Sequence, residues 1–258
     1  MNRRPSAAVL ALATVGGAFV ALPLVGLVLR APWARAGAVL SDRRSLDAVL
    51  VSLEVSLAAT AIALVLGAPL AWILARGSFP GLSILRALVI LPLVLPPVVG
   101  GIALFAAYGR RGFLGGPLDA VGISLPLSTA GAVAAAAFVA SPLLVLSLEA
   151  GIRSLDPRLE GAAESLGASR RYALRRVTLP LLRSHLVAGL VLTWARALGE
   201  FGATITFAGN LQGRTQTLPL AAFERLQSDP RGAVLLSLLL VALSLVALVV
   251  LRGRFLSR

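Results

Sequence analysis

The chain has 258 residues, 58% of them hydrophobic, and a mean hydropathy of +0.91; this exceeds the roughly even apolar share of a soluble domain and places the chain in lipid. Its net charge of +13 rests on arginine alone: without lysine no GxxxxGK[ST] phosphate loop can form, so any ATP hydrolysis that drives the protein belongs to another polypeptide. Cysteine is absent and His185 is the single histidine, which excludes disulfides and thiolate metal sites and leaves no metal-ligand set, no nucleophile–base pair and no evident cofactor site.

Six stretches hold the about 20 mainly apolar residues needed to cross a hydrocarbon core of about 30 Å: residues 7–29, 53–75, 85–107, 128–150, 186–208 and 232–251. A backbone in lipid must satisfy its own hydrogen bonds, so each is expected to be helical. The expected fold is an all-α integral membrane protein with six transmembrane helices and one domain over residues 1–258. The first stretch follows Arg3-Arg4 but is longer than the apolar region of a cleaved signal, and it reads as a retained anchor. Sorting the arginines by the loops of this map puts 14 on the side of the N-terminus and nine opposite, with Arg196 inside a span. The positive-inside rule then sets both termini and the loop at 151–185 in the cytoplasm. The charges lie in short loops beside apolar runs, where anionic headgroups account for them better than nucleic acid does.

The third stretch carries Pro92, Pro96, Pro97, Gly100 and Gly101. Prolines forfeit backbone donors and kink a helix, which a membrane tolerates where neighbouring protein or a cavity satisfies the freed carbonyls. Pro96 and Pro97 therefore mark either a pathway wall or a kinked packing helix. Arg110 and Arg111 follow, on the side opposite the N-terminus in this map.

After the fourth stretch comes DPRLEGAAESLGASRRYALRRVTLP, residues 156–180. A helix beginning with Asp156 as N-cap and Pro157 at its first position puts Leu159, Ala162, Ala163, Leu166 and Gly167 on one small, flat face. An amphipathic helix on the bilayer surface, with Arg170, Arg171, Arg175 and Arg176 on lipid phosphates, is the alternative. Ala162-Ala163, Gly167 and Val177-Thr178-Leu179-Pro180 resemble the "EAA…G…I-LP" loop of ABC-importer permease subunits at matching spacing. The resemblance implies a coupling helix that seats in a groove of an ATPase subunit. The position of the motif's glutamate holds Gly161, and Glu160 stands one residue earlier.

In the fifth stretch Arg196 and Glu200 are four apart, on one helical face, where they can neutralise each other. The pair either fixes helix packing or serves the pathway. Gly199, Gly202 and Gly209 permit close approach or local unwinding. ARALGEFGATITFAGN, followed by GRTQTLPLAAFE, resembles the molybdate branch of these permeases, as does the Tyr108–Gly115 stretch; sulfate relatives share the ALGEFG core. By that resemblance Arg110 and Arg111 lie at the external end, where they attract an oxyanion or pair with the acidic rim of a binding protein, and the loop from Gly209 to Arg231, with Arg214, faces the same protein; otherwise that loop is a solvated connector.

The resemblance implies the type I ABC importer permease architecture: a homodimer importing molybdate, with tungstate as second substrate, in a prokaryotic inner membrane. The implied partners are separate ATPase subunits and a periplasmic or extracellular oxyanion-binding protein. A sulfate or thiosulfate permease is the nearest alternative. A secondary transporter needs ion-coupling acids at mid-membrane, where only Glu200 lies, and an intramembrane enzyme needs a nucleophile and base the chain lacks.

Overall fold

A computed structural model describes residues 6–255, and all regular structure among them is helical. Arg3, Arg4 and Arg258, which entered the charge bias, lie outside the described residues. The first apolar stretch forms α1 (Ala7–Arg30). A 3-10 turn at Trp33–Arg35 and α2 (Ala36–Leu40) lead into α3 (Arg43–Arg76). Then come α4 (Leu82–Val94), α5 (Pro97–Tyr108), α6 (Gly115–Ala120) and α7 (Thr129–Ser154). The loop at 151–185 holds α8 (Pro157–Ser165) and α9 (Arg170–Ala173). A π turn at Leu174–Thr178 joins α9 to α10 (Leu179–Leu198), and α11 (Gly202–Phe207), α12 (Leu218–Ser228) and α13 (Pro230–Phe255) complete the chain.

Among the described residues four helices are each long and apolar enough to cross a membrane: α1, α3, α7 and the continuous helix Arg170–Leu198. The third stretch is two short helices rather than one. Leu95 stands extended before Pro96-Pro97 (ψ 137°) because a residue that precedes proline is driven out of the α region, and Pro97 then opens α5. The fifth stretch starts earlier than expected, at Leu179, and stops at Leu198; Gly199 and Gly202 flank the break, each costing about 1 kcal/mol in a helix interior. The second begins ten residues early, since Arg43 to Ser52 continue the helix beyond the apolar core. The sixth falls on α13.

Small residues at helical spacing hold the bundle. On α3 the buried stripe runs Ser45, Ala48, Ser52, Ala59, Ala63 and Gly67; Ala59, with Val51 and Val55, packs on Ala132, Ala136 and Ala140 of α7 and Ala197 of α10, while Ala63 and Gly67 lie against Leu144 and Val145. Lipid tails are as apolar as leucine, so close packing of small faces drives association here more than transfer from water. His185 has a place in this packing. Its backbone carbonyl accepts the Ser147 hydroxyl at 2.7 Å, and a Cβ on Gly151 would fall 2.6 Å from its ring, so the single histidine is a packing residue seated on a glycine.

Candidate functional site

The coupling segment is built from its caps. Asp156 Oδ1 accepts the Arg158 N–H at 2.9 Å and Pro157 opens α8, as the sequence implies. The helix ends at Ser165. Ala168 N–H bonds Ala163 O at 3.0 Å and Gly167 N–H bonds Glu164 O at 2.9 Å, the two bonds of a Schellman motif, with Gly167 at φ +85°. This corrects the expectation that Gly167 extends the face of Leu159, Ala162 and Ala163. A Cβ on Gly167 would meet nothing within 4 Å, so left-handed backbone, not lack of space, requires glycine there. Ala162 is exposed, Ala163 half-buried, and Leu166 stands 89% exposed beside a notch of about 610 Å³ that reaches Tyr172.

Glu160 acquires a role that its offset from the motif left open. Its Oε1 accepts the buried Thr178 hydroxyl at 2.8 Å, which ties α8 to the residue before Leu179 and Pro180. The π turn is there because Pro180 has no N–H to continue an α ladder; Leu179 N–H reaches back to Leu174 O. The structure thus brings Glu160 to the Leu179-Pro180 end of the motif, and both of those residues are exposed. Gly167→Asn, which tolerates a left-handed backbone, is expected to preserve the cap. Gly167→Ala is expected to cost about 1–2 kcal/mol there, read as about tenfold weaker hydrogen-exchange protection at the Gly167 position and Ala168.

The two broken spans meet. A Cβ on Gly202 would lie 2.6 Å from Pro97 Cβ, and one on Gly101 2.6 Å from Thr206 Cβ. Small residues therefore let α5 and α11 touch beside both breaks, and Pro96 and Pro97 remain exposed. Arg196 and Glu200 do pair, Nη1 to Oε2 at 2.7 Å, but Glu200 lies beyond the end of α10 and not on its face. Its other oxygen, Oε1, accepts the Ala203 N–H at 2.9 Å and so caps α11. Glu200 is 2% exposed, while the Arg196 side chain keeps 31%. One carboxylate therefore neutralises an intramembrane arginine and starts the next helix.

At the opposite end from α8, Arg110, Arg111 and Arg214 are exposed, and the Arg214 carbonyl accepts the Thr129 hydroxyl at 2.9 Å. The segment from Gly209 to Arg231 is no plain solvated connector. Thr215, Gln216 and Thr217 are buried, Leu218 N–H donates to Ser52 Oγ at 2.6 Å, and Glu224 Oε2 accepts from Asn210 and Gln216 at 2.7 and 2.6 Å. Asp229 pairs with Arg35 at 2.9 Å and approaches Arg225 at 3.6 Å. The Gly232 N–H at 3.0 Å, together with these two guanidinium groups, holds its carboxyl below the usual carboxylate value against the opposing effect of burial. A depressed folded-state pKa contributes stability above the unfolded value of about 3.9 and loses it as pH falls through the folded value. Asp229→Asn is accordingly expected to be less stable than the parent at pH 6 and to lose less on acidification to pH 3, measured by thermal unfolding in detergent.

One cluster escaped the sequence. Glu149 Oε1 accepts from Arg86 Nε and Nη2 at 3.2 and 2.9 Å and from Arg153 Nε at 3.0 Å, and both arginines also donate to Leu74 O at 3.0 Å. The knot staples α4 and α7 to the carbonyl end of α3, where cations suit the helix dipole. The i,i+4 spacing of Glu149 and Arg153 was a local signal; nothing local announced Arg86.

Long apolar helices, two broken spans that meet and a capped loop helix are the arrangement of an integral membrane protein, and comparison places it in a family. Residues 63–258 match the family described as "Binding-protein-dependent transport system inner membrane component". The chain belongs to this family, whose members are multi-pass inner-membrane transport subunits. It is 49% identical over 239 residues to the molybdenum transport system permease protein ModB of Mycobacterium tuberculosis, covering 93% of this chain and 90% of that protein. Against the protein of that name in Escherichia coli K12 the identity is 44%, over 79% and 90% of the two chains. The sulfate transport system permease protein CysT of Salmonella typhimurium is 36% identical, over 91% and 87%. In fold the chain is similar to a bacterial alginate ABC transporter in complex with a pentasaccharide-bound periplasmic protein, with a TM-score of 0.70 at 16% identity over 97% and 94% of the chains.

Proposed function

We propose that this chain is the permease subunit of an ATP-driven molybdate importer, with tungstate as a second oxyanion. The carrying observation is the ARALGEFGATITFAGN segment with the following GRTQTLPLAAFE, supported by 49% identity to a molybdenum permease against 36% to a sulfate permease. In this reading two copies form the pathway, with Pro96, Pro97, Arg196 and Glu200 at the junction of their broken spans. The termini and α8 are cytoplasmic. ATPase subunits seat on Ala162, Ala163 and the Gly167 cap, held in place by the Glu160–Thr178 bond and by the Leu179-Pro180 start of α10. An oxyanion-binding protein docks at the other end against Arg110, Arg111 and Arg214, where opposite charge speeds encounter.

Affinity purification of the chain from its native membrane tests the class. It is expected to bring down an ATPase and a soluble oxyanion binder, and the pure chain alone is expected to hydrolyse no ATP, since it has no phosphate-loop lysine. Hydrolysis by the rigorously pure chain, or recovery without any ATPase, would count against the reading.

A further inference from the structure

Between α3, α4 and α7 lies a cavity of about 470 Å³, walled by Gly67, Leu70, Leu88, Pro92, Phe138 and Ser141. Its volume falls in the roughly 300–1,000 Å³ range of small-molecule sites, and its lining is apolar apart from Ser141 and the Tyr108 hydroxyl. The α3 edge is open: Ile62 and Leu66 are 39% and 62% exposed. Helical spacing continues that edge through Pro69 and Ile73 to Arg76, all of them exposed or half-exposed. From Leu66 to Arg76 is about 15 Å of helix, half of a hydrocarbon core of about 30 Å. The stripe therefore has the length of one leaflet.

Arg76 closes it in the last turn of α3. Its Nε and Nη2, the paired donors of one guanidinium edge, are buried and make no hydrogen bond. A buried donor without an acceptor costs about 1–3 kcal/mol, more when charged, and this edge fits two anionic oxygens. Glu149, the carboxylate at the Leu74 end of α3, is already held by Arg86 and Arg153. Arg76, Arg86 and Arg153 against Glu149 leave this corner of the bundle net positive. Arg76 is half-exposed as a whole; its guanidinium has to turn outward to present the unpaired edge to a ligand.

We propose that this groove binds one anionic phospholipid, with an acyl chain in the α3–α4–α7 cavity and the phosphate on the free edge of Arg76. Basic positions between spans at headgroup depth suit such lipids. The proposal rests on the bundle alone and stands or falls apart from the transported anion.

The test is native mass spectrometry of the full chain released from mixed micelles of phosphatidylglycerol and phosphatidylcholine, with melting temperature measured in parallel. The parent is expected to retain one phosphatidylglycerol in at least fivefold preference over phosphatidylcholine. Arg76→Gln is expected to lose the preference while still holding lipid; Arg76→Lys, which keeps the charge, retains part of it. Ser141→Leu, which narrows the cavity and leaves Arg76 intact, is expected to lower retention of both lipids. Equal retention of the two lipids by the parent would overturn the proposal. So would a preference untouched by both Arg76→Gln and Ser141→Leu, or the same thermal protection from millimolar inorganic phosphate, which would make Arg76 an anion site without a lipid.

Discussion

Arg196→Leu is expected to destabilise the chain by about 3–5 kcal/mol, because it leaves the Glu200 carboxylate, 2% exposed, without its counter-charge. Glu200→Leu should cost less for the charge, since the Arg196 side chain is 31% exposed and can turn towards water, but it also removes the cap on the Ala203 N–H. The double variant is expected to regain most of the loss, short of about 1 kcal/mol for that cap. Unfolding in mixed detergent micelles measures the cycle, and uptake by the assembled complex separates the roles. A packing role predicts that uptake returns with assembly. A well-assembled double variant that transports slowly would instead assign Arg196 to the path of the anion.

The second large effect is at Glu149. Glu149→Leu removes the acceptor shared by Arg86 and Arg153 and leaves two cations converging on Leu74 O. The expected cost is about 3 kcal/mol, at the low end for a broken buried pair because the two arginine side chains keep 33% and 50% exposure. Glu149→Gln retains an acceptor of the same shape and should cost about half as much. The same micelle unfolding measures both; equal stability of Glu149→Leu and the parent would show that the knot contributes nothing.

Much of this was legible because lipid imposes simple rules. Length and hydropathy located the apolar stretches, and Asp156-Pro157 announced the start of α8 by its capping chemistry. What stayed hidden depended on backbone conformation or on distant partners. Gly167 reads in sequence as a small member of a helical face, yet its φ of +85° makes it the residue that stops the helix. Arg196 and Glu200 have the spacing of a helical pair, yet the helix ends between them, and only the fold reveals that Glu200 starts α11. The proline break of the third stretch and the glycine break of the fifth were each visible, but not that Pro97 would rest on Gly202. Ser52 and Leu218, joined across 166 positions of sequence, show why Thr215 to Leu218 are buried although their composition reads as loop.

The most direct test of the transport reading is uptake into proteoliposomes containing this chain and its co-purifying ATPase, with the oxyanion binder supplied outside and ATP sealed inside. The expected result is accumulation of labelled molybdate that requires all three proteins and hydrolysable ATP, is inhibited by tungstate and is largely unaffected by tenfold excess sulfate. Accumulation of sulfate in preference to molybdate, or molybdate uptake that proceeds without the ATPase, would contradict it.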